Sequence, residues 1–164
     1  MIDLQAFCGG EDRPKSICTP WTRDGYTMAT DGVILVRMPA VDGVAKNPDA
    51  PNVPAEWFEF EVPKWFDIPP ISTLTAECEE CVGTGWVIPK TAYNEYDEQD
   101  CKSCGGDGRT RRMESVKIGV AKFDGKVLAQ LSVLPGIKIG PTGEFHIARF
   151  IFDGGEGVVM PVRE

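Results

Sequence analysis

Apolar residues along this chain come in short bursts broken by Asp-Gly, Pro and Gly, which is the punctuation of brief strands and tight turns. The pattern predicts a short helix at "DLQAF", then strand-like pieces at "SICTPW", "YTMAT" and "VILVRMP". Asp24-Gly25 and Asp31-Gly32 punctuate the series like turns of a small antiparallel meander, since Asp-Gly readily takes the positive φ of tight hairpins. Residues 40–70 are rich in Pro, and within them "EWFEFEV" alternates apolar with acidic residues as a half-buried strand would. Near the other end "SVKIGVA" alternates as a strand. "DGKVLAQLSVL" sets Val127, Leu128, Leu131 and Leu134 on one helical face, and Pro135-Gly136 ends it. Three more apolar pieces, "IKIG", "EFHIARFIF" and "GVVMPV", read as strands joined by "PTG" and "DGGEG". The expected class is α+β with two helices and a dominant antiparallel sheet.

With 164 residues, 42% of them hydrophobic, and four Trp, one real core is expected, as a single domain with a small appendage. No apolar run reaches the ~18 residues of a membrane span. The N-terminus shows early acids and no signal peptide, so the six cysteines are expected in a reducing cytoplasm. A formal charge of −8 repels nucleic acid from the surface as a whole. A local basic patch stands out against it: Arg109, Arg111 and Arg112 in "GRTRRM" could meet phosphates, or form a solvated cluster at the base of a loop.

Between the flanks, which are residues 1–75 and 113–164, lies a cysteine insert at 76–112. "CEECVGTGW" (78–86) returns as "CKSCGGDGR" (101–109). Cys78, Cys81, Cys101 and Cys104 form two C-x2-C pairs, a spacing that lets four thiolates reach a tetrahedral Zn²⁺ at about 2.3 Å. Gly83, Gly85, Gly106 and Gly108 let the backbone curl around the metal and aim amides at sulfur. Two disulfides or a redox C-x2-C pair are the competing readings, but a redox pair usually stands alone at a helix start. Four protein sulfurs leave no open coordination position, so the expected role of zinc is structural.

The repeat C-x2-C-x-G-x-G resembles the zinc-binding repeats of the DnaJ co-chaperone family, which carry four such units; the two here suffice for one zinc. The J-domain His-Pro-Asp signature is missing, the sole histidine being His146 in "EFHIAR". The resemblance implies a metal module that binds protein or nucleic acid. Cys8 and Cys18 stand outside the pattern and read as small buried apolar residues. A catalytic thiol would need His146 as its base.

A second resemblance covers the flanks. "DGYTMATDGVILVRMP" (24–39) is similar to the first meander of a domain from the bacterial DNA sliding-clamp family, with Ala29, Thr30, Asp31 and Gly32 at the turn. "FDGKVLAQLSVLPG" resembles the second helix of such a domain, and "GGEGVVMPVRE" its C-terminal strand. The resemblance implies two helices on a curved antiparallel sheet, sheet edges that join subunits, and helices that face DNA. Lys122 and Lys126, with Lys117 and Lys138 nearby, then become candidate DNA contacts, or an ordinary solvated face. Met160, Pro161 and Val162 would contribute to a peptide groove, or pack an edge strand. A family chain holds three such domains; this one has room for one, so a ring would need about six copies. That points to a clamp-derived domain, of phage or prophage kind, put to another use.

No Gly-rich phosphate loop, nucleophile elbow or open His-rich metal site supports an enzyme. The expected function is a non-enzymatic DNA-replication or repair accessory with a zinc module for partner or nucleic-acid contact. The alternative is a zinc-knuckle adaptor for protein partners, unrelated to DNA.

Overall fold

The computed structural model describes residues 1–89 and 98–163; residues 90–97 of the expected insert, and the last residue of the C-terminal match, lie outside them. The strands in chain order are β1 (Trp21–Arg23), β2 (Tyr26–Thr30), β3 (Ile34–Pro39), β4 (Thr73–Glu77), β5 (Trp86–Val87) and β6 (Gln99–Asp100). They continue with β7 (Arg109–Met113), β8 (Val116–Ile118) and β9 (Ala121–Phe123), then helix α1 (Gly125–Leu131), and last β10 (Lys138–Gly140), β11 (Ala148–Phe152) and β12 (Gly155–Val159). The chain divides into two compact units, Met1–Ile71 with Ser115–Glu164, and Ser72–Glu114.

The first unit is built on a six-stranded sheet in the order β1-β2-β3-β12-β11-β10, every pair antiparallel. Read outward from the β3–β12 pair, the two halves have the same arrangement: β3-β2-β1 on one side and β12-β11-β10 on the other. The central strand β3 buries Ile34, Leu35 and Val36 in succession, as a strand covered on both faces must. On one face Ala29, Ile34, Val36, Phe150 and Val159 pack with Leu128 and Leu131 of α1 and with Phe7. On the other, Met28, Leu35 and Val158 pack with Trp21, Ala50 and Phe58. That second face is tied down by Glu156, which accepts from Arg37 at 2.6 Å and Arg149 at 3.1 Å, while Arg37 stacks 3.5 Å from the Phe58 ring centroid.

Several local expectations change in the structure. Among the described residues there is one α-helix, α1, capped where the Asp124 carboxylate accepts from the Lys126 amide at 2.7 Å. "DLQAF" makes only a single 3-10 turn, Leu4–Phe7, because Gly9-Gly10 follows and glycine is costly to hold in a helix. "EWFEFEV" is not a strand: Ala55–Phe58 is a 3-10 turn that starts at Pro54 and drives Phe58 into the core while Trp57 stays exposed. The prolines around it lack the N–H donors a ladder needs. Lys15–Ile17, which takes in the first two residues of "SICTPW", is likewise a 3-10 turn, and only Trp21 of that segment is in a strand. "SVKIGVA" folds back as the β8–β9 hairpin, Ile118 opposite Ala121, because Gly119 takes φ +58°. No helix among the described residues is long and apolar enough to cross a membrane.

The second unit has a two-stranded stem, β4 with β7, and a smaller pair, β5 with β6. Its interior is Cys78, Cys81 and Cys101, with Val87 and Cys104 packed against them.

Candidate metal centre and its arginine stem

Each C-x2-C turn closes in the same way. The Gly83 amide donates to the Cys78 carbonyl and the Gly106 amide to the Cys101 carbonyl, both at 3.2 Å. The last glycine of each motif donates to its second sulfur: Gly85 to Cys81 Sγ and Gly108 to Cys104 Sγ, again both at 3.2 Å. The turns then lock to each other, the Cys78 amide on the Gly108 carbonyl and the Cys101 amide on the Gly85 carbonyl, both 2.9 Å. Gly85 (φ +85°) and Gly108 (φ +70°) are required twice over. Both lie in the left-handed region, and a Cβ on either would collide with a backbone carbonyl of the opposite turn, Gly106 or Gly83.

The result is four sulfurs within 4.8 Å of one another, Cys78 to Cys101 at 3.7 Å and Cys81 to Cys104 at 3.8 Å. All six cysteines are free thiols, and these separations are far beyond the ~2.05 Å of a disulfide. Cys78, Cys81 and Cys101 are buried and Cys104 is partly exposed. The cluster could hold a metal ion, and its donor set fits one: the Gly85 and Gly108 amides point at sulfur, where they favour the thiolate form that binds metal. Burial opposes ionisation at Cys81, but the Gly85 amide and the neighbouring thiols outweigh it and bring that group down to about 7. Burial dominates at Cys101 and pushes it up to about 12.

The arginines lie on β7, directly after the second turn. Side chains alternate along a strand, so Arg109 and Arg111 share one face of the stem and Arg112 takes the other. All three are exposed, and among the described residues none has an ion pair. Lys122 is half-buried on β9 and Lys126 exposed on α1; both belong to the sheet unit, so the arginines and lysines fall in separate units. Lys138 is paired with Asp67 at 2.8 Å. Of the groove candidates, Met160 is exposed, Pro161 is buried and Val162 is half-buried. Their backbone is engaged, Met160 N–H to the Val33 carbonyl and Val162 N–H to the Lys122 carbonyl, and they follow β12, a strand at the centre of the sheet and not at an edge. Cys8 is half-buried, and burial together with Cys18 raises it to about 11.

The sequence reading missed the stem itself and, with it, Thr75. The signal was present: five residues before the first cysteine, "TLTAE", pair in register with five after the last glycine, "RTRRM". No family model matches this chain, and comparison with curated proteins and with solved structures gives no match either.

Proposed function

We propose that this protein is a non-enzymatic accessory of DNA replication or repair, a clamp-like sheet domain whose zinc-loaded knuckle module contacts nucleic acid. The observation that carries it is the stem: Arg109 and Arg111, exposed on one face of the five-residue strand β7, have no ion pair among the described residues. In a chain of net charge −8, a cluster of unpaired guanidinium groups is the feature suited to phosphate.

Zinc as the metal is supported by geometry. A tetrahedron with bonds of about 2.3 Å has edges of about 3.8 Å, and the two closest sulfur pairs stand 3.7 and 3.8 Å apart. Zinc would hold the two turns together and supply no chemistry of its own, since Cys78, Cys81, Cys101 and Cys104 fill its shell. The matching halves of the sheet order support the clamp-like part. A ring joined at sheet edges would have to displace existing bonds: Thr22 on β1 donates to the Ala45 carbonyl, and Ile139 on β10 exchanges both bonds with Phe66. The reading therefore rests on contact through the module. A protein adaptor is the second reading, favoured by exposed Leu74, Val82, Trp86, Ile88 and Met113 in the same unit.

The test combines metal analysis, light scattering and fluorescence anisotropy with labelled DNA. A colourless chain with one zinc equivalent that binds DNA at low salt, and less tightly as salt rises, is expected. Red, iron-bearing protein would overturn the zinc assignment. A strict monomer that ignores DNA at low salt would leave the adaptor.

A further inference from the structure

The β4–β7 stem carries an open cleft of about 710 Å³, and we propose that it seats a phosphodiester unit of a single-stranded nucleic acid. This deepens the nucleic-acid reading and rests on it. Thr75 stands opposite Arg111 and Glu77 opposite Arg109 in the ladder, which puts Thr75, Arg109 and Arg111 on one face. The cleft is lined by these three with Ser103, Cys104, Asp107 and Thr110.

Its polarity narrows the ligand. Arg109 and Arg111 offer planar forks of N–H donors matched to phosphate oxygens, and Thr75 adds a hydroxyl. The Ser103 hydroxyl is already donated to Glu80. Asp107 and Cys104 lie in the knuckle, while Arg111 is two positions further along β7 than Arg109, so the cleft runs from an acidic end to a basic one. With a divalent ion on four thiolates, the acidic end keeps net negative charge. A free phosphate dianion is repelled there. A phosphodiester carries a single charge, and the base attached to it brings amino donors for the Asp107 carboxylate. A concave site beside a narrow ribbon also suits an extended strand whose bases are unstacked, rather than a duplex whose bases are closed off. Arg112, paired across from Leu74, is not among the residues that line the cleft.

The test uses the full metal-loaded chain and a short fluorescein-labelled DNA strand, single or annealed, read by anisotropy across a salt series. The single strand should bind more tightly than the duplex, and inorganic phosphate at matched ionic strength should not compete. Arg109→Gln with Arg111→Gln should weaken binding by about tenfold or more and lower the log–log salt slope by about 1.4, two contacts at roughly 0.7 each. Arg112→Gln should stay within about twofold of wild type, as a group outside the site. Phenylglyoxal labelling of the unmutated chain removes any doubt about folding: the strand should protect Arg109 and Arg111 and leave Arg112 reactive. Duplex preferred, phosphate competing, or Arg109 and Arg111 unprotected while the strand binds would each overturn the cleft and leave the broader DNA reading in place. No binding by the unmutated chain to either DNA form would overturn both.

Discussion

The interior of the sheet unit is made of Phe, Ile, Leu and Val packed on both faces of β3, β11 and β12, whereas the interior of the knuckle unit is four cysteines and one valine. All five residues of β4 are exposed and so are four of the five on β7. A segment of this size cannot bury enough apolar area to offset its chain entropy. Its shape must come from the backbone lock between the two turns and from whatever ion the sulfurs hold. The first unit is thus held by a hydrophobic interior, and the second by interlocked turns around a sulfur cluster that could hold a metal ion, within one short chain.

That contrast breaks first under chelation. Structural zinc is worth about 10–16 kcal/mol in finger peptides near neutral pH, so stripping the metal should unfold 72–114 outright. Hydrogen exchange read by mass spectrometry should show peptides from 73–113 losing protection while those covering 26–39 and 148–159 keep theirs. Loss of protection in both would mean the units do not fold independently. Acid should act in the same direction, because protons compete with metal for the thiolates.

The converse comes from the sheet. Phe150 lies fully buried opposite Gly157, and Phe150→Ala should cost about 3–5 kcal/mol in urea unfolding of that unit without changing metal content. A smaller effect is expected from the glycines that lock the knuckle. Gly85→Ala pushes a methyl into the Gly106 carbonyl at positive φ and should cost about 1–3 kcal/mol, read as weaker metal affinity. Gly105→Ala meets nothing within 4 Å, so only its φ of +65° is penalised, and metal affinity should drop less.

Val82 sharpens the comparison between the two turns. It is the counterpart of Gly105 and holds φ +50°, a conformation that a β-branched residue rarely adopts. It is also 76% exposed, so it contributes no packing in return. Val82→Gly should stabilise the knuckle by up to about 1 kcal/mol, seen as tighter metal binding. The smallest effect belongs to Cys8. Because its folded pKa is raised to about 11 from 9.0, its contribution is complete below pH 9 and is lost as pH rises toward 11. The stability gap between wild type and Cys8→Ala should shift against wild type over that interval, in urea midpoints measured at successive pH values.

The residues that form the four-cysteine cluster were legible because their information is local: C-x2-C and the trailing glycines set the turns within a few residues of each sulfur. The α1 stripe was legible for the same reason, with Leu128 and Leu131 buried, although the helix ends at Leu131 and Leu134 is buried beyond it. "EWFEFEV" misled because its alternation had no ladder partner between prolines, and "SVKIGVA" because a single glycine reversed the chain within an apparent strand.

By itself the sequence determined which four sulfurs could meet, where the two cysteine turns fall, and that a cysteine module interrupts a β-rich chain. Only the tertiary structure decided that β3 pairs with β12 across the insert, and that "TLTAE" and "RTRRM" form one stem. It also decided that Arg109 and Arg111 share a face with Thr75 while Arg112 does not. The physical reason is register: a strand's local pattern states which residues alternate, but the choice of partner and face depends on hydrogen bonds between segments distant in sequence.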